Sequence, residues 1–330
     1  MTNHSFSKDV LNIDLEEAVE KICAKIRETV FKRFKKKGVV VGLSGGIDSS
    51  VTIALSIKAV GAEKVIALLM PEKHSAGEST ELGELVAKRF SVETKYENIS
   101  GILEAAGFYE KYISAVQRVI AEYNENWKSK ITIPSVLESN KYSIFSVVAQ
   151  NPAGETIKKR LTAAAYLEIL AATNFKQRTR KMMEYYHADR LNYAVAGTPN
   201  RLEYDQGFFV KLGDGSADLK PIAHLYKSQV YQIAEYLEVP EEVRIRKPTT
   251  DTYSLPQGQD EFYFSLPYDQ MDLCLYAFNH DIPASQVAEV LGFTDVQIER
   301  VFKDIVQKRH VTKYLHCPPV LMEEVPEIAY

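Results

Sequence analysis

Residues 42 to 50 read GLSGGIDSS, a run whose residue types suit the holding of phosphate. Gly42, Gly45 and Gly46 let backbone N–H groups wrap closely around an anion, and Ser44, Ser49 and Ser50 add hydroxyls where a helix begins. The lysine of a Walker A loop is missing, and so is the GxGxxG spacing of a dinucleotide fold. Asp48 would repel a bare phosphate, so its presence makes sense if a cation lies between them. Mg²⁺, which binds through one or two carboxylates together with phosphate oxygens, is the natural choice. The plainer reading is a tight strand-to-helix connection in which Gly and Ser serve only steric needs.

The elements around this stretch must position it. Val39, Val40 and Val41 precede it as a buried strand, and Val51 to Leu55 continue it as a helix to about residue 60. Upstream, Asp14 followed by Glu17 predicts a capped helix, with Leu15, Ala18, Val19, Ile22, Cys23 and Ile26 at helical spacing. Downstream come a strand at 64–70, a helix around 77–90 and a short strand ending near Tyr96. Such alternation predicts a parallel sheet with right-handed crossovers. From about 109 to 170 the pattern breaks, with helical stretches flanking a polar middle, and this reads as a mainly helical insertion. A strand at 192–198 resumes the sheet. A Gly/Asp-rich loop at 213–218, a helix at about 225–238, a loop beginning RKPTTD and a helical C-terminal part follow. Residues 1–330 are expected to form one unit.

Forty basic residues against forty-four acidic ones leave a net charge of −4, which argues against nucleic acid or an anionic membrane as partner. The basic run KRFKKK at 32–37 reads as a solvated helix end. Cys23, Cys274 and Cys317 are widely spaced with no CxxC pair, unlike a disulfide framework or a zinc site, and they fit a reducing cytoplasm. The first ten residues lack the apolar core of a signal peptide, and no apolar run approaches the length of a membrane span.

SGGIDSS resembles the pyrophosphatase loop of the N-type ATP pyrophosphatases. Later segments narrow the resemblance to the NAD synthetases: MPEKHSAGESTELGELVAKRF (70–90), NFKQRTRKMMEYYHADRLN (174–192), VAGTPNRLEYDQGFFVKLGDGSADLKPIAHLYKSQV (195–230) and RKPTTDTYSLPQGQDEFYFSLPYDQMD (246–272). The resemblance implies an adenine nucleotide alpha-hydrolase-like α/β fold, a homodimer, and ATP as co-substrate. It implies a reaction in which ATP adenylates the nicotinate carboxylate of deamido-NAD, pyrophosphate leaves, and ammonia displaces AMP. No further domain of amidase size is evident, so free ammonia or a separate glutaminase partner would supply the nitrogen.

Residue by residue, the resemblance implies that the loop Leu43, Ser44, Gly45, Gly46, Ile47, Asp48, Ser49 and Ser50 holds the ATP phosphates. Asp48 and Glu203 would ligate Mg²⁺, while Thr198, Lys227 and Thr249 would contact ATP. Arg178, Lys211 and Asp218 would contact deamido-NAD, with Arg180 as a second phosphate contact. Lys and Arg at such a site neutralise the charge growing on departing pyrophosphate. Asp214, between Gly213 and Gly215, would orient ammonia or accept its proton if the loop closes as a lid; a plain turn fits the same residues. Simpler roles fit the others too: a surface ion pair for Glu203 and Lys211, a solvated helix face for Arg178 and Arg180, turn or helix caps for Thr249 and Asp218. His187 and His224 read as structural.

The chain departs from the family pattern in three places. Lys313, Tyr314 and Leu315 stand where a His-Lys-Arg cluster usually precedes a C-terminal proline, with Arg309-His310 and His316 as candidate substitutes. Leu212 replaces the usual Tyr, and the segment at 109–170 is inserted. A paralogue amidating another carboxylate, or a non-catalytic nucleotide-binding regulator, therefore stands beside NAD synthetase as an alternative reading.

Overall fold

The computed structural model describes residues 6–75, 77–133, 145–249, 252–258, 263–264 and 266–328. Helix α1 (Leu15–Arg27) starts where the sequence predicts, the Asp14 side chain accepting from the Glu17 amide at 2.9 Å. Strand β1 (Val39–Gly42) leads through the Gly/Ser turn into helix α2 (Ile47–Val60). Then follow β2 (Val65–Leu69), α3 (Gly77–Arg89) and β3 (Glu93–Tyr96). Strand β7 (Ala194–Ala196) pairs with β1 on its other side, and all three pairings of the order β3-β2-β1-β7 are parallel. A parallel sheet is covered on both faces, which is why β1 and β2 are runs of Val, Ile, Ala and Leu rather than alternating patterns. Val39 and Val41 point into a core with α1 and α2, whereas Val40 points into the opposite core with Ile66 and Leu68.

The inserted segment differs from the mainly helical expectation. Helix α4 (Ser100–Ala105) precedes it and α5 (Phe108–Gln117) opens it, but its polar middle forms an antiparallel sheet of β4 (Lys128–Thr132), β5 (Ser146–Gln150) and β6 (Thr156–Arg160). These strands are short and largely polar, and only alternate residues such as Ile131, Val147 and Ala149 reach the core. That leaves too weak a period to read from sequence. Helix α6 (Ala163–Leu191) then runs for 29 residues back to β7, capped by the Thr162 side chain.

After β7 come α7 (Arg201–Gln206), α8 (Lys227–Tyr236) and α9 (Glu241–Ile245). Helices α10 (Tyr268–Asn279), α11 (Ala284–Leu291) and α12 (Asp295–Thr312) pack around a third cluster containing Met271, Leu275 and Ile298. Among the described residues no helix is long and apolar enough to cross a membrane.

Candidate active site

A cavity of about 250 Å³ opens at the carboxyl ends of β1 and β2, the place where open α/β sheets bind ligands. Its floor is the Gly/Ser turn, from Gly42 to Ser49. Gly46 begins α2 without any side-chain cap, so the helix N-terminus keeps its donors and its dipole for a ligand. Inside the turn, Ser49 Oγ donates to Gly46 O at 2.9 Å and accepts from Ser44 N at 3.2 Å. Gly45 has φ +74°, and a Cβ there would run into the carbonyl oxygen of Ser79 on α3. Glycine is therefore needed twice over, for conformation and for space. Ser50 does not line the cavity; it is fully buried, and its hydroxyl bonds Gly46 O. Its part is to shape the turn.

The carboxylates stand at the wall beside α2. Asn200 caps α7 in a capping box with Glu203, the two bonds measuring 3.2 and 3.1 Å. The spare donor of Asn200 reaches Asp48 Oδ1 at 3.1 Å, tying the two acidic residues into one network. Lys227, 2% exposed, pairs with the other Asp48 oxygen. Burial and then the Asp48 charge push the Glu203 carboxyl up to about 8, against the pull of Lys227. Burial alone would lower Lys227, yet Asp48 and Glu203 outweigh it and raise its pKa. The first turn of α8 is held from outside: Asp272, on α10, accepts from the Lys227 and Ser228 amides and from Ser228 Oγ at 3.2, 2.6 and 2.6 Å.

Among the described residues no cluster of three or more His, Cys, Asp and Glu is arranged as a metal cage. Two carboxylates at the mouth of a phosphate loop are instead the donor set that suits Mg²⁺, which keeps waters and substrate oxygens for its remaining positions. The mutual repulsion of Asp48 and Glu203 is answered here by Lys227.

The opposite wall is one face of α6. Gln177, Arg180, Lys181 and Glu184 line it, at the i, i+3, i+4, i+7 spacing of one helix side. Lys181 and Glu184 form an ion pair of 2.5 Å, their side chains 6% and 8% exposed. Beside them lies Asp214, which accepts from the Val210 amide at 2.7 Å. Burial raises its pKa, while that amide and then Lys181 hold it down. Thr198 and Thr249 also line the cavity.

Sequence reasoning thus placed Asp48, Thr198, Glu203, Asp214, Lys227, Thr249 and Arg180 at one cavity, and it missed Gln177, Lys181 and Glu184. Polar residues at helical spacing around Arg178 and Arg180 were the available signal. Three expected acceptor contacts lie outside the cavity lining. Arg178 is exposed and its Nε donates to Lys211 O at 3.4 Å. Lys211 donates to the carbonyls of Tyr314 and Cys317 at 2.8 and 3.0 Å, holding the C-terminal turn. Asp218 accepts from the Val195 amide and from Tyr185 Oη, bracing the end of β7. Of the candidate substitutes near the C-terminus, Arg309 is committed to Asp205 and Asn279. His310 is exposed. His316 sits edge-on to Tyr204 and Phe209 at 4.7 and 5.1 Å. Leu212 is exposed with φ +61°. His187 is buried against Glu97 at 2.8 Å, in keeping with a structural role.

A family model described as NAD synthase matches residues 18–134 and 134–314. The chain is 54% identical over 318 residues to the NH(3)-dependent NAD(+) synthetase of Mesorhizobium japonicum, an alignment covering 96% of this chain and 100% of that protein. Among solved structures, the NH3-dependent NAD synthetase of Campylobacter jejuni in complex with nitrate superposes with TM-score 0.61 at 22% identity, covering 94% of this chain and 100% of that one. The NMN synthetase of Francisella tularensis superposes with TM-score 0.63 at 19% identity, over 94% and 99% of the two chains. At these identities the structural likenesses speak to the fold.

Proposed function

Because the chain belongs to the NAD synthase family, we propose that it is an ammonia-dependent ligase that amidates deamido-NAD using ATP, with Asp48, Glu203 and Lys227 at the centre of the chemistry. The observation that carries this reading is the union at one cavity of the phosphate turn, two carboxylates linked through Asn200, and a buried lysine. The turn would hold the β- and γ-phosphates of ATP against the start of α2. Asp48 and Glu203 would hold Mg²⁺, which supplies charge neutralisation for the phosphates when bound. Lys227 would follow the negative charge that develops as pyrophosphate separates, released toward it from Asp48.

A carboxylate is a poor electrophile. Its oxygen attacks the α-phosphorus, forming the acyl adenylate and expelling pyrophosphate; ammonia then adds to the acyl carbon, loses a proton and displaces AMP. Asp214, its carboxylate fixed by the Val210 N–H, would take that proton. No protein nucleophile is needed, so the protein's work is positioning and electrostatics. Residues 1–330 act in this reading as one catalytic unit with an inserted sheet. The enzyme works in the cytoplasm as a homodimer, on free ammonia or on ammonia from a separate glutaminase.

The test follows pyrophosphate release with Mg-ATP and ammonium, with and without deamido-NAD, while NAD is detected by mass. Release that depends on deamido-NAD and yields NAD is expected. Protein that binds ATP yet ignores deamido-NAD would point to a different carboxylate acceptor.

A further inference from the structure

The Lys181–Glu184 pair has no assigned part in the account above. Both side chains belong to α6, three residues apart, and both are almost wholly withdrawn from solvent while lining the cavity. Taking two charges out of water is costly, and well-packed apolar residues usually serve stability equally well or better. A buried pair at a cavity wall therefore calls for an explanation from the cavity's contents.

Its position is specific. A Cβ placed on Gly42 would lie 2.9 Å from Glu184 Oε1, so the pair packs against the residue where β1 gives way to the phosphate turn. Asp214 lines the same cavity, and the Lys181 charge helps hold its carboxyl down. The pair thus spans from the start of the phosphate turn to the group expected to manage the ammonia proton. The acceptor's carboxylate must make the same journey, first reaching phosphorus and then meeting ammonia. The other lining cations are engaged elsewhere or lie farther out: Arg180 with the Met70 carbonyl, Lys227 with Asp48, Arg246 with Ser79 and Glu78, and Lys247 exposed.

Resting on the amidation reading above, we propose that Lys181 is the cation that receives the acceptor's carboxylate, and that Glu184 keeps it aimed into the cavity. An ammonium has three N–H donors, and the bond to Glu184 uses one of them. The acceptor can therefore join the pair without stripping Lys181 of its partner. Neutral overall, the pair raises no barrier to an anion, and its lysine end gives a carboxylate a fixed point from which one oxygen faces phosphorus.

The experiment is exchange of labelled pyrophosphate into ATP, dependent on deamido-NAD and run without ammonium, so that only adenylation is read. Wild-type protein with no such exchange would overturn the amidation reading itself, independently of any variant. With exchange established, K181M is expected to raise KM for deamido-NAD roughly 10- to 100-fold, the loss of one charge-assisted hydrogen bond, while KM for ATP stays within about twofold. K181R is expected to recover part of the loss. E184Q keeps an oxygen that accepts from the ammonium, and with it the aim of Lys181, but offsets the lysine charge less, so KM for deamido-NAD should move the other way, down several-fold. If K181M does not fold, E184Q decides alone: an unchanged or raised KM overturns the proposal. Equal effects on both substrates in K181M would likewise reduce the pair to a structural role.

Discussion

Replacing Lys227 with Met tests the centre of the site through stability alone. The lysine is 2% exposed and its partner Asp48 17% exposed. Removing one member of a buried pair costs about 3–5 kcal/mol, and the partial exposure of Asp48 places K227M near the lower end. The pH dependence is more diagnostic. Glu203 titrates at about 8 in the folded protein, raised from an ordinary 4.5. Between those values the folded state holds a proton that the unfolded chain has released, so the stability linked to Glu203 declines across this window and levels off above it. Lys227 favours the ionised Glu203, so K227M should extend that decline beyond pH 8. Below pH 7 Glu203 is protonated with or without Lys227, and the loss reflects Asp48 alone. Above 8 the variant should lose a further ~1.4 kcal/mol for each pH unit, the linkage of one proton. Urea unfolding in EDTA, below pH 7 and again at about pH 9, measures both quantities through the midpoint and slope. A destabilisation equal at the two pH values would refute the coupling of Lys227 to Glu203.

Three further outcomes are expected. D272A should destabilise by roughly 1–3 kcal/mol, since the Lys227 and Ser228 donors lose their acceptor, and it should raise KM for ATP because α8 carries Lys227; unchanged urea midpoints would count against this. G45A should weaken ATP binding in a calorimetric titration, because a left-handed alanine costs about 1–2 kcal/mol before it meets the Ser79 carbonyl; wild-type affinity would show that α3 yields freely. D214N should retain deamido-NAD-dependent pyrophosphate exchange but lose about 10²–10⁴-fold in ammonia-dependent amide formation, the range of general acid–base assistance. Full turnover in that variant would remove Asp214 from the proton transfer.

What was legible in the sequence was mostly local. The phosphate turn can be read because the side-chain hydrogen bonds that shape it lie within nine residues, and Asp14 caps a helix through a neighbour three positions away. What escaped is made by long-range contact. Asp272 holds α8 from another helix, across 45 residues. Lys211 looks free for a substrate in sequence, yet Tyr314 and Cys317, more than a hundred residues on, accept its hydrogen bonds. The strands of the insertion were hidden for a different reason, because few of their residues are apolar enough to mark a buried face. Lys181 and Glu184 fall between these cases: their spacing is plain on a helix, but only the folded chain shows that this side meets a cavity.

The internal bonding of the phosphate turn bears on the heat of nucleotide binding. Ser44 and Ser49 already satisfy one another and Gly46, so an arriving phosphate exchanges hydrogen bonds more than it adds them, and such exchanges carry little net free energy. Discrimination at the turn should then rest on charge and on the oriented amides of α2. Binding of the triphosphate is expected to be modest in enthalpy and to weaken steeply as ionic strength rises; titration calorimetry over a salt series reads both, and a large, salt-insensitive enthalpy would mean the serines do more than hold the turn's shape.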